Sequence, residues 1–128
     1  MLRAFSPNAV TDVTGFGLFG HAREMAERSG VRIRIDALPA LEGVADVARA
    51  GIRTGGDPRN RDFAGGHVTS DGVSDELLAL AYDAQTAGGL LISLPADKAL
   101  SLQAEFHARE LFLRRVGSVE DGAGVVLA

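Results

Sequence analysis

The chain has 128 residues, 46% of them hydrophobic and 23% charged, which predicts one soluble globular domain, residues 1–128, with a core of its own. A net charge of −4 without basic runs disfavours a nucleic-acid partner, and no apolar stretch has the length of a membrane span or the form of a signal peptide. The chain has no cysteine, which excludes disulfides, thiolate metal ligands and a cysteine nucleophile within it, and we expect a cytoplasmic protein.

The first half of the chain alternates helix and strand signals. Apolar residues recur at helical spacing over about Gly15 to Ser29, and Gly30 is the expected stop. The segment Val31–Asp36 alternates apolar and charged residues, which predicts a strand with one buried face. A second helix is predicted from Pro39 to Gly51.

The second half begins with residues 51–74, which have no periodicity and predict a long loop that is functional or mobile. A third helix is predicted at about Glu76–Tyr82, because acidic residues at its start suit a helix N-terminus. The continuous apolar run Leu90–Leu94 predicts a strand buried on both faces. A fourth helix is predicted at about Ala96–Glu110.

The C-terminal residues predict two more strands, Phe112–Val119 and Val125–Leu127, joined as a hairpin through Asp121-Gly122. Helices and strands are therefore mixed, and no internal repeat occurs. The predicted fold class is α+β, with one mixed β-sheet packed against about four helices.

The densest chemical signal is TDVTGFG at residues 11–17. A glycine-rich turn that enters a helix N-terminus exposes backbone N–H groups, which favour an anion such as phosphate. Asp12 would repel that anion unless a cation such as Mg²⁺ lies between them. Asp12 is therefore a candidate metal ligand, and the residues near the phosphate would be Thr11, Thr14, Gly15 and Gly17. A structural alternative stays open, in which Asp12 or Thr14 caps the helix and the glycines allow close packing.

Two further glycine-rich blocks are GGDPRNR at residues 55–61 and QTAGG at residues 85–89. The arginines and asparagine of the first could grip an anionic ligand, although a solvated surface loop is the more favoured interpretation of its composition. The second could turn a helix tightly into a central strand, and a structural role is the better explanation for it. The candidate ligand-facing residues of the two blocks are Arg59, Asn60, Gln85, Thr86, Gly88 and Gly89.

The remaining chemistry-bearing residues predict no self-contained catalytic centre. No two histidines lie three or four residues apart, which disfavours a zinc site, and no serine lies in a nucleophile-elbow motif. We therefore assign no catalytic residue to this chain.

Taken in their order and spacing, TDVTGFGLFGH, GGDPRN, DAQTAGGLLI and RVGSV closely resemble the C-terminal half of the selenophosphate synthetase (selenide, water dikinase) family. The resemblance runs from about Thr11 to Val119. It implies a fold like the C-terminal domain of aminoimidazole ribonucleotide synthetase, in a domain that closes an ATP site. The family converts ATP, selenide and water into selenophosphate, orthophosphate and AMP. The resemblance also implies that Asp12 binds Mg²⁺ together with aspartates of an N-terminal ATP-binding domain, through which the family forms homodimers.

The chain departs from the family pattern in two respects. Ala84 and Ala87 stand where the family commonly has proline and serine, which weakens a ligand role for the QTAGG block. We also expect that the N-terminal domain, which in the family carries the catalytic cysteine or selenocysteine and its lysine, is not part of these 128 residues. We therefore expect no activity from this chain alone.

Two alternatives stay open at this point. The chain could be a domain of another member of the superfamily: the purine-biosynthesis synthetase, thiamine monophosphate kinase or a hydrogenase maturation factor. It could also be a free-standing, non-catalytic domain that binds a partner protein. An isolated domain should expose an apolar patch where its partner lies, which favours self-association. The candidates for that patch are Phe5, Val10, Val13, Phe16 and Phe19.

Overall fold

Helices and strands alternate along the chain in the computed structural model, which describes residues 1–128 and confirms the α+β fold class. Two short 3₁₀ helices cover Leu2–Phe5 and Gly65–His67. The strands are β1 (Ala9–Asp12), β2 (Arg32–Ile35), β3 (Val68–Thr69), β4 (Leu90–Ser93), β5 (Gly117–Glu120) and β6 (Gly124–Leu127). The α-helices are α1 (Gly17–Ser29), α2 (Val44–Arg49), α3 (Asp57–Ala64), α4 (Asp75–Tyr82) and α5 (Ala96–Ala108).

The strands form a mixed sheet of four and a separate antiparallel pair. The larger sheet has the order β3-β6-β2-β5, in which β2 is parallel to β6 and antiparallel to β5. Ile33 of β2 thus lies between Val125 and Val119. Strands β1 and β4 form the second sheet, with Val10 opposite Ile92. The sequence predicts one sheet, and the structure divides the strands between two.

The core lies between the mixed sheet and α1. The alternation in β2 buries Ile33 and Ile35 and leaves the arginines between them partly exposed, as the sequence predicts. Phe19 of α1 is fully buried and its ring meets that of Tyr82 edge to face, with 4.9 Å between centroids. Burying a side chain of this size stabilises the fold by about 1.5–3 kcal/mol. Helix α1 therefore has a fixed position, and its N-terminus is held against α4.

The predicted hairpin between β5 and β6 is wrong, because β2 lies between these two strands. Arg32, at the start of β2, is opposite Glu120 on one side and Gly124 on the other. The short link 121–123 therefore passes around the end of β2. A local turn motif indicates that the chain reverses but does not exclude insertion of a third strand between the two arms.

Residues 51–74 are not a structureless loop, since they contain α3, a 3₁₀ turn and β3. Helix α3 has little apolar periodicity because two of its polar residues are buried: Asn60 bonds to Gly15 outside the helix, and Asp57 accepts from Arg61 one turn further along it. Helix α2 is shorter than predicted, beginning at Val44, and Leu41 before it is 83% exposed.

The strand β4 is also more exposed than the sequence predicts. Its only partner is β1, and Leu90 is 54% exposed rather than buried on both faces. A continuous apolar run predicts a central strand when both sheet faces are covered, but the face of this pair that carries Val10 and Leu90 is exposed.

The predicted apolar patch is wrong in part. Val13 and Phe19 belong to the interior, at 6% and 0% exposure, whereas Val10 and Phe16 are exposed.

None of the helices combines the length and hydrophobicity needed to cross a bilayer.

Candidate functional site

The three glycine-rich blocks of the sequence meet at one place, where β1 leads into α1. The carbonyl oxygen of Thr14 accepts hydrogen bonds from the N–H groups of Gly17 and Gln85, both at 3.0 Å. The carbonyl oxygen of Val13 accepts another from Gly88 at 2.9 Å. Asn60 of α3 completes the junction by donating to the carbonyl oxygen of Gly15 at 2.9 Å. Blocks 11–17, 55–61 and 85–89 thus form one unit.

Two of the glycines are required by close backbone contacts. Gly17 has φ of +71°, and a Cβ at this position would lie 2.8 Å from the carbonyl oxygen of Tyr82. A Cβ on Gly88 would lie 2.8 Å from the carbonyl oxygen of Val13. Gly15 differs from both, because a Cβ there would have no atom within 4 Å. Close packing therefore explains Gly17 and Gly88 but not Gly15.

In the turn, the backbone carbonyl groups are hydrogen-bonded within the protein, whereas several backbone N–H groups are not. The carbonyl oxygens of residues 13, 14 and 15 all accept hydrogen bonds from within the protein. No backbone carbonyl accepts from the N–H groups of Gly15, Phe16 or Leu18, at the start of α1. Free donors at a helix N-terminus give the turn a positive partial charge, which suits an anion.

Asp12 ends β1 and is exposed, directly opposite Leu90 of β4. Its carboxylate makes no salt bridge, and nowhere in the chain do three or more histidine, aspartate or glutamate side chains approach closely enough to form a metal site. The Thr11 hydroxyl donates to the carbonyl oxygen of Asp12 at 3.3 Å. One exposed carboxylate is a partial donor set for Mg²⁺, which takes one or two carboxylates and completes its shell with water and phosphate oxygens.

Thr14 contacts a residue that the motif analysis did not single out. Its Oγ1 lies 3.1 Å from Nε2 of His21, one helical turn into α1, and His21 is only 7% exposed. The ring of Phe16 lies beside His21, with 5.5 Å between centroids. A contact over seven residues joins the turn to its own helix; His21 ends the TDVTGFGLFGH motif, but the sequence does not indicate that it contacts Thr14.

The GGDPRNR block forms the start of α3, so the solvated-loop interpretation is wrong. Asn60 is 4% exposed and donates both amide hydrogens, to Gly15 and to the carbonyl oxygen of Tyr82, each at 2.9 Å. Arg59 is exposed and forms no ion pair. It lines a shallow groove with Gly15, Phe16, Asn60 and Phe63. The block therefore combines one structural residue with one free cation.

The walls of this groove are aromatic. The rings of Phe16 and Phe63 stack at a centroid distance of 4.9 Å and an interplanar angle of 22°. The Arg23 guanidinium lies 4.6 Å from the centroid of Phe63. Phe16 remains 45% exposed and offers an apolar surface next to Arg59. The groove thus suits a ligand or surface with both apolar and anionic parts.

An ion-pair network fixes α3 against α4. Arg61 donates to Oδ1 of the buried Asp57 at 2.7 Å and lies 3.5 Å from a carboxylate oxygen of Asp75. Its guanidinium also lies 5.1 Å from the centroid of the Tyr82 ring. Burial raises the pKa of the Tyr82 hydroxyl, although the nearby Arg61 cation opposes that shift. The pKa of Arg61 is raised as well, because its hydrogen bond and ion pairs with Asp57 and Asp75 outweigh the opposing effect of burial. The network therefore joins α4 to α3, the helix that carries Asn60.

The QTAGG block is a connection whose backbone completes the junction. Gln85 donates through its side chain to Asp83 at 2.8 Å, so its amide is engaged within the loop. Thr86, Gly88 and Gly89 are exposed. The structure thus joins the three blocks through the bonds of residues 13–15 with Asn60, Gln85 and Gly88, and it leaves Asp12, Gly15, Arg59 and Thr86 open to solvent.

Comparison with known proteins gives a family match over the whole chain. The family model described as AIR synthase related protein, C-terminal domain, matches residues 2–128. Selenide, water dikinase 2 of Peptoclostridium acidaminophilum is 43% identical over 103 residues, which are 79% of this chain and 30% of that protein. Selenide, water dikinase of Trichlorobacter lovleyi is 42% identical over 121 residues, 93% of this chain and 35% of that protein. The chain thus spans about a third of the length of these relatives.

Among solved structures, a thiamine-monophosphate kinase from Stenotrophomonas maltophilia shares the fold. It superposes with a TM-score of 0.65 and 24% identity, over 98% of this chain and 32% of the kinase. At this level of identity the likeness establishes the architecture and leaves the substrate open.

Proposed function

We propose that this chain is the C-terminal domain of an ATP-dependent selenophosphate synthetase. It belongs to the family of AIR synthase related protein C-terminal domains. The reaction of the whole enzyme converts ATP, selenide and water into selenophosphate, orthophosphate and AMP. The observation that carries the proposal is the similarity to selenide, water dikinases, which extends through all three glycine-rich blocks that meet at the start of α1. We propose a cytoplasmic location for this enzyme.

In this proposal Asp12 is a Mg²⁺ ligand. The fit rests on its exposure, its lack of a salt bridge and its position beside a turn with free amides. One carboxylate leaves most of the coordination shell to phosphate oxygens, water and carboxylates from elsewhere. When bound, the cation would neutralise charge on the phosphates during phosphoryl transfer.

The turn would lie against the phosphates of ATP. Gly15, whose missing side chain no packing contact explains, would allow the backbone to approach phosphate oxygens closely. Thr11, Thr14 and Gly17 would lie near the same phosphates. The contribution of these residues is to position charge and exclude water, which is most of what phosphoryl transfer requires.

The outer residues of the other two blocks would face the ligand or the closing domain. Arg59 is the stronger candidate because it is a free cation in the groove beside Gly15. Asn60, Gln85, Gly88 and Gly89 would act by holding the junction in shape, and Thr86 would be open to contact. No residue of this chain is proposed as a nucleophile, so the chain alone would be inactive.

We further propose that the outer face of the β1–β4 pair binds an N-terminal ATP-binding domain. Val10, Asp12, Leu90 and Ile92 share this face by their register, and Val10 and Leu90 are 43% and 54% exposed. The candidate metal ligand and an exposed apolar surface are thus on one side. A partner that covers Val10 and Leu90 would bring its own carboxylates to Asp12. The homodimer would then form largely through that partner domain.

The activity is tested in the full-length protein by replacing Asp12→Asn and measuring AMP formation with and without selenide. We expect turnover to fall about 10²-fold or more, because removal of one strong electrostatic contact to the transition state has an effect of that size. Asp71→Asn is the matched control, since Asp71 is also exposed and makes no ion pair. Full turnover in Asp12→Asn would remove the metal role.

The docking face is tested by mixing this chain with the separately produced N-terminal domain and measuring association by calorimetry. Leu90→Asp should weaken the association strongly. Leu100→Asp should not, because Leu100 is 69% exposed and belongs to α5 rather than to the β1–β4 pair. Equal effects of the two changes would contradict this location of the interface.

The same measurements separate the alternatives. ATP turnover without selenide-dependent AMP formation would favour another member of the superfamily, such as a thiamine monophosphate kinase, a purine-biosynthesis synthetase or a hydrogenase maturation factor. A chain that self-associates or binds other proteins, and has no affinity for an ATP-binding domain, would be a free-standing binding module.

A further inference from the structure

The contact between Thr14 and His21 determines what the Thr14 hydroxyl can offer to a ligand. Oγ1 of Thr14 lies 3.1 Å from Nε2 of His21 in a nearly buried position. A hydroxyl can donate one hydrogen and can also accept, whereas each ring nitrogen of a neutral histidine does only one of these. The protonated nitrogen of His21 therefore decides the direction of the hydrogen bond.

The surroundings of His21 favour a proton on Nδ1. Oε2 of Glu24 lies 4.0 Å from Nδ1, and an ionised carboxylate attracts a ring N–H and repels a bare nitrogen lone pair. With the proton on Nδ1, Nε2 has only its lone pair. The Thr14 hydroxyl must then donate its hydrogen to His21, and its own lone pairs face away from the ring.

Asp12 and Thr14 are two residues apart on a segment whose backbone pairing continues past the end of β1. Val13 between them is 6% exposed and pairs with the backbone of Gly88 and Gly89, so the segment stays extended beyond the end of β1. Side chains two residues apart on an extended segment point to the same face, about 6.6 Å apart along the strand. A hydrated cation at Asp12 is of a size to reach the Thr14 oxygen through one of its waters.

We infer that His21 is a positioning residue that fixes the Thr14 hydroxyl as a hydrogen-bond acceptor for a water molecule of the cation bound at Asp12. This inference rests on the proposed metal role of Asp12. It gives Thr14 a role toward the cation rather than the phosphate, since a hydroxyl whose hydrogen is donated to His21 has none to donate to a phosphate oxygen. The opposite tautomer would free that hydrogen and reverse the assignment.

The tautomer is measured in this chain by long-range proton–nitrogen NMR of the histidine rings. We expect His21 to carry its proton on Nδ1, with a hydroxyl proton of Thr14 protected from exchange. His67 and His107, which are both exposed, serve as internal references. A proton on Nε2 of His21 would overturn the inference without a variant being made.

The cation is tested with MnCl₂ alone, by the line broadening of backbone amide signals near Asp12, which detects weak binding. We expect the broadening in the wild-type chain to be lost in Asp12→Asn, to fall about tenfold in Thr14→Val and to be retained in Thr14→Ser. Loss in Asp12→Asn with no change in Thr14→Val would overturn the role of Thr14 and leave the metal role of Asp12 intact. Broadening that is absent from the wild type or unchanged in Asp12→Asn would overturn both.

Discussion

Asn60 on α3 holds the carbonyl oxygen of Gly15 at 2.9 Å and so joins the polar helix to the glycine-rich turn. The same amide group donates to the carbonyl oxygen of Tyr82, at the end of α4. Asn60 is 4% exposed, and its bond to Tyr82 is buried whereas its bond to Gly15 is partly buried. One side chain thus sets the relative positions of α1, α3 and α4.

Replacing Asn60→Ala should lower the free energy of unfolding by about 2–4 kcal/mol. The carbonyl oxygens of Gly15 and Tyr82 lose their donor, and a buried unsatisfied group such as that of Tyr82 destabilises the fold by about 1–3 kcal/mol. Chemical denaturation measures the change. Arg59→Ala, one residue earlier and exposed, should alter it by less than about 0.5 kcal/mol. Equal values for the two variants would contradict the structural role of Asn60.

Replacing two glycines of the turn by alanine should have different effects on the stability of the chain. Gly17→Ala should destabilise the chain by about 2 kcal/mol or more, since it combines a positive φ with a Cβ 2.8 Å from the carbonyl oxygen of Tyr82. Gly15→Ala should leave stability within about 1 kcal/mol, because its Cβ meets no atom. In the full-length protein, Gly15→Ala should nevertheless weaken ATP binding. Unfolding curves and nucleotide titrations of both variants check the pair, and unchanged ATP affinity in Gly15→Ala would contradict phosphate contact at this residue.

The sequence predicts elements whose pattern and packing are both local. Helix α1 ends at Gly30, whose N–H donates to the carbonyls of Ala26 and Glu27, and the alternation of β2 matches its burial. The relation of β5 to β6 depends instead on a strand more than 80 residues earlier in the chain. No local signal specifies that β2 lies between them.

The candidate site also combines features that the local sequence predicts with features that depend on tertiary contacts. The motifs identify which blocks matter, and the hydrogen bonds of Thr14 and Asn60 explain why they occur together. Helix α3 was not predictable from periodicity because its buried face is polar, although Pro58 at its first turn is a helix-start signal. The contact of Thr14 with His21 depends on α1 beginning at Gly17, and the sequence pattern locates that start only within two residues.

Glu120 should make the stability of the chain depend on pH on the acid side. Its hydrogen bond from Arg34, supported by Arg32, lowers the pKa of Glu120 below the ordinary value of 4.5. A lowered folded-state pKa gives stability that is present above the unfolded-state value and is lost as the pH falls through the folded-state value. Glu120→Gln should therefore flatten the fall in stability below pH 4.5, as measured by denaturant unfolding across that range. Glu42→Gln, at an exposed residue without an ion pair, should leave the slope unchanged, and a slope unaffected by Glu120→Gln would refute the coupling.

Tyr82 is the only tyrosine in a chain without tryptophan, so the near-ultraviolet absorbance of tyrosinate reports this residue alone. Burial raises the pKa of its hydroxyl above the ordinary 10.0. The associated stability is complete below the unfolded-state pKa and is lost as the pH rises through the raised folded-state value. After a rapid pH jump, the native chain should therefore ionise at higher pH than the same chain in denaturant. Arg61→Gln should move the native titration further upward, because that cation lowers the pKa of Tyr82. Tyr82→Phe should abolish the signal. Coincident native and denatured titrations would show that the Tyr82 hydroxyl is solvated in the folded chain. That result would contradict the packing of the Arg61 guanidinium over the Tyr82 ring between α3 and α4.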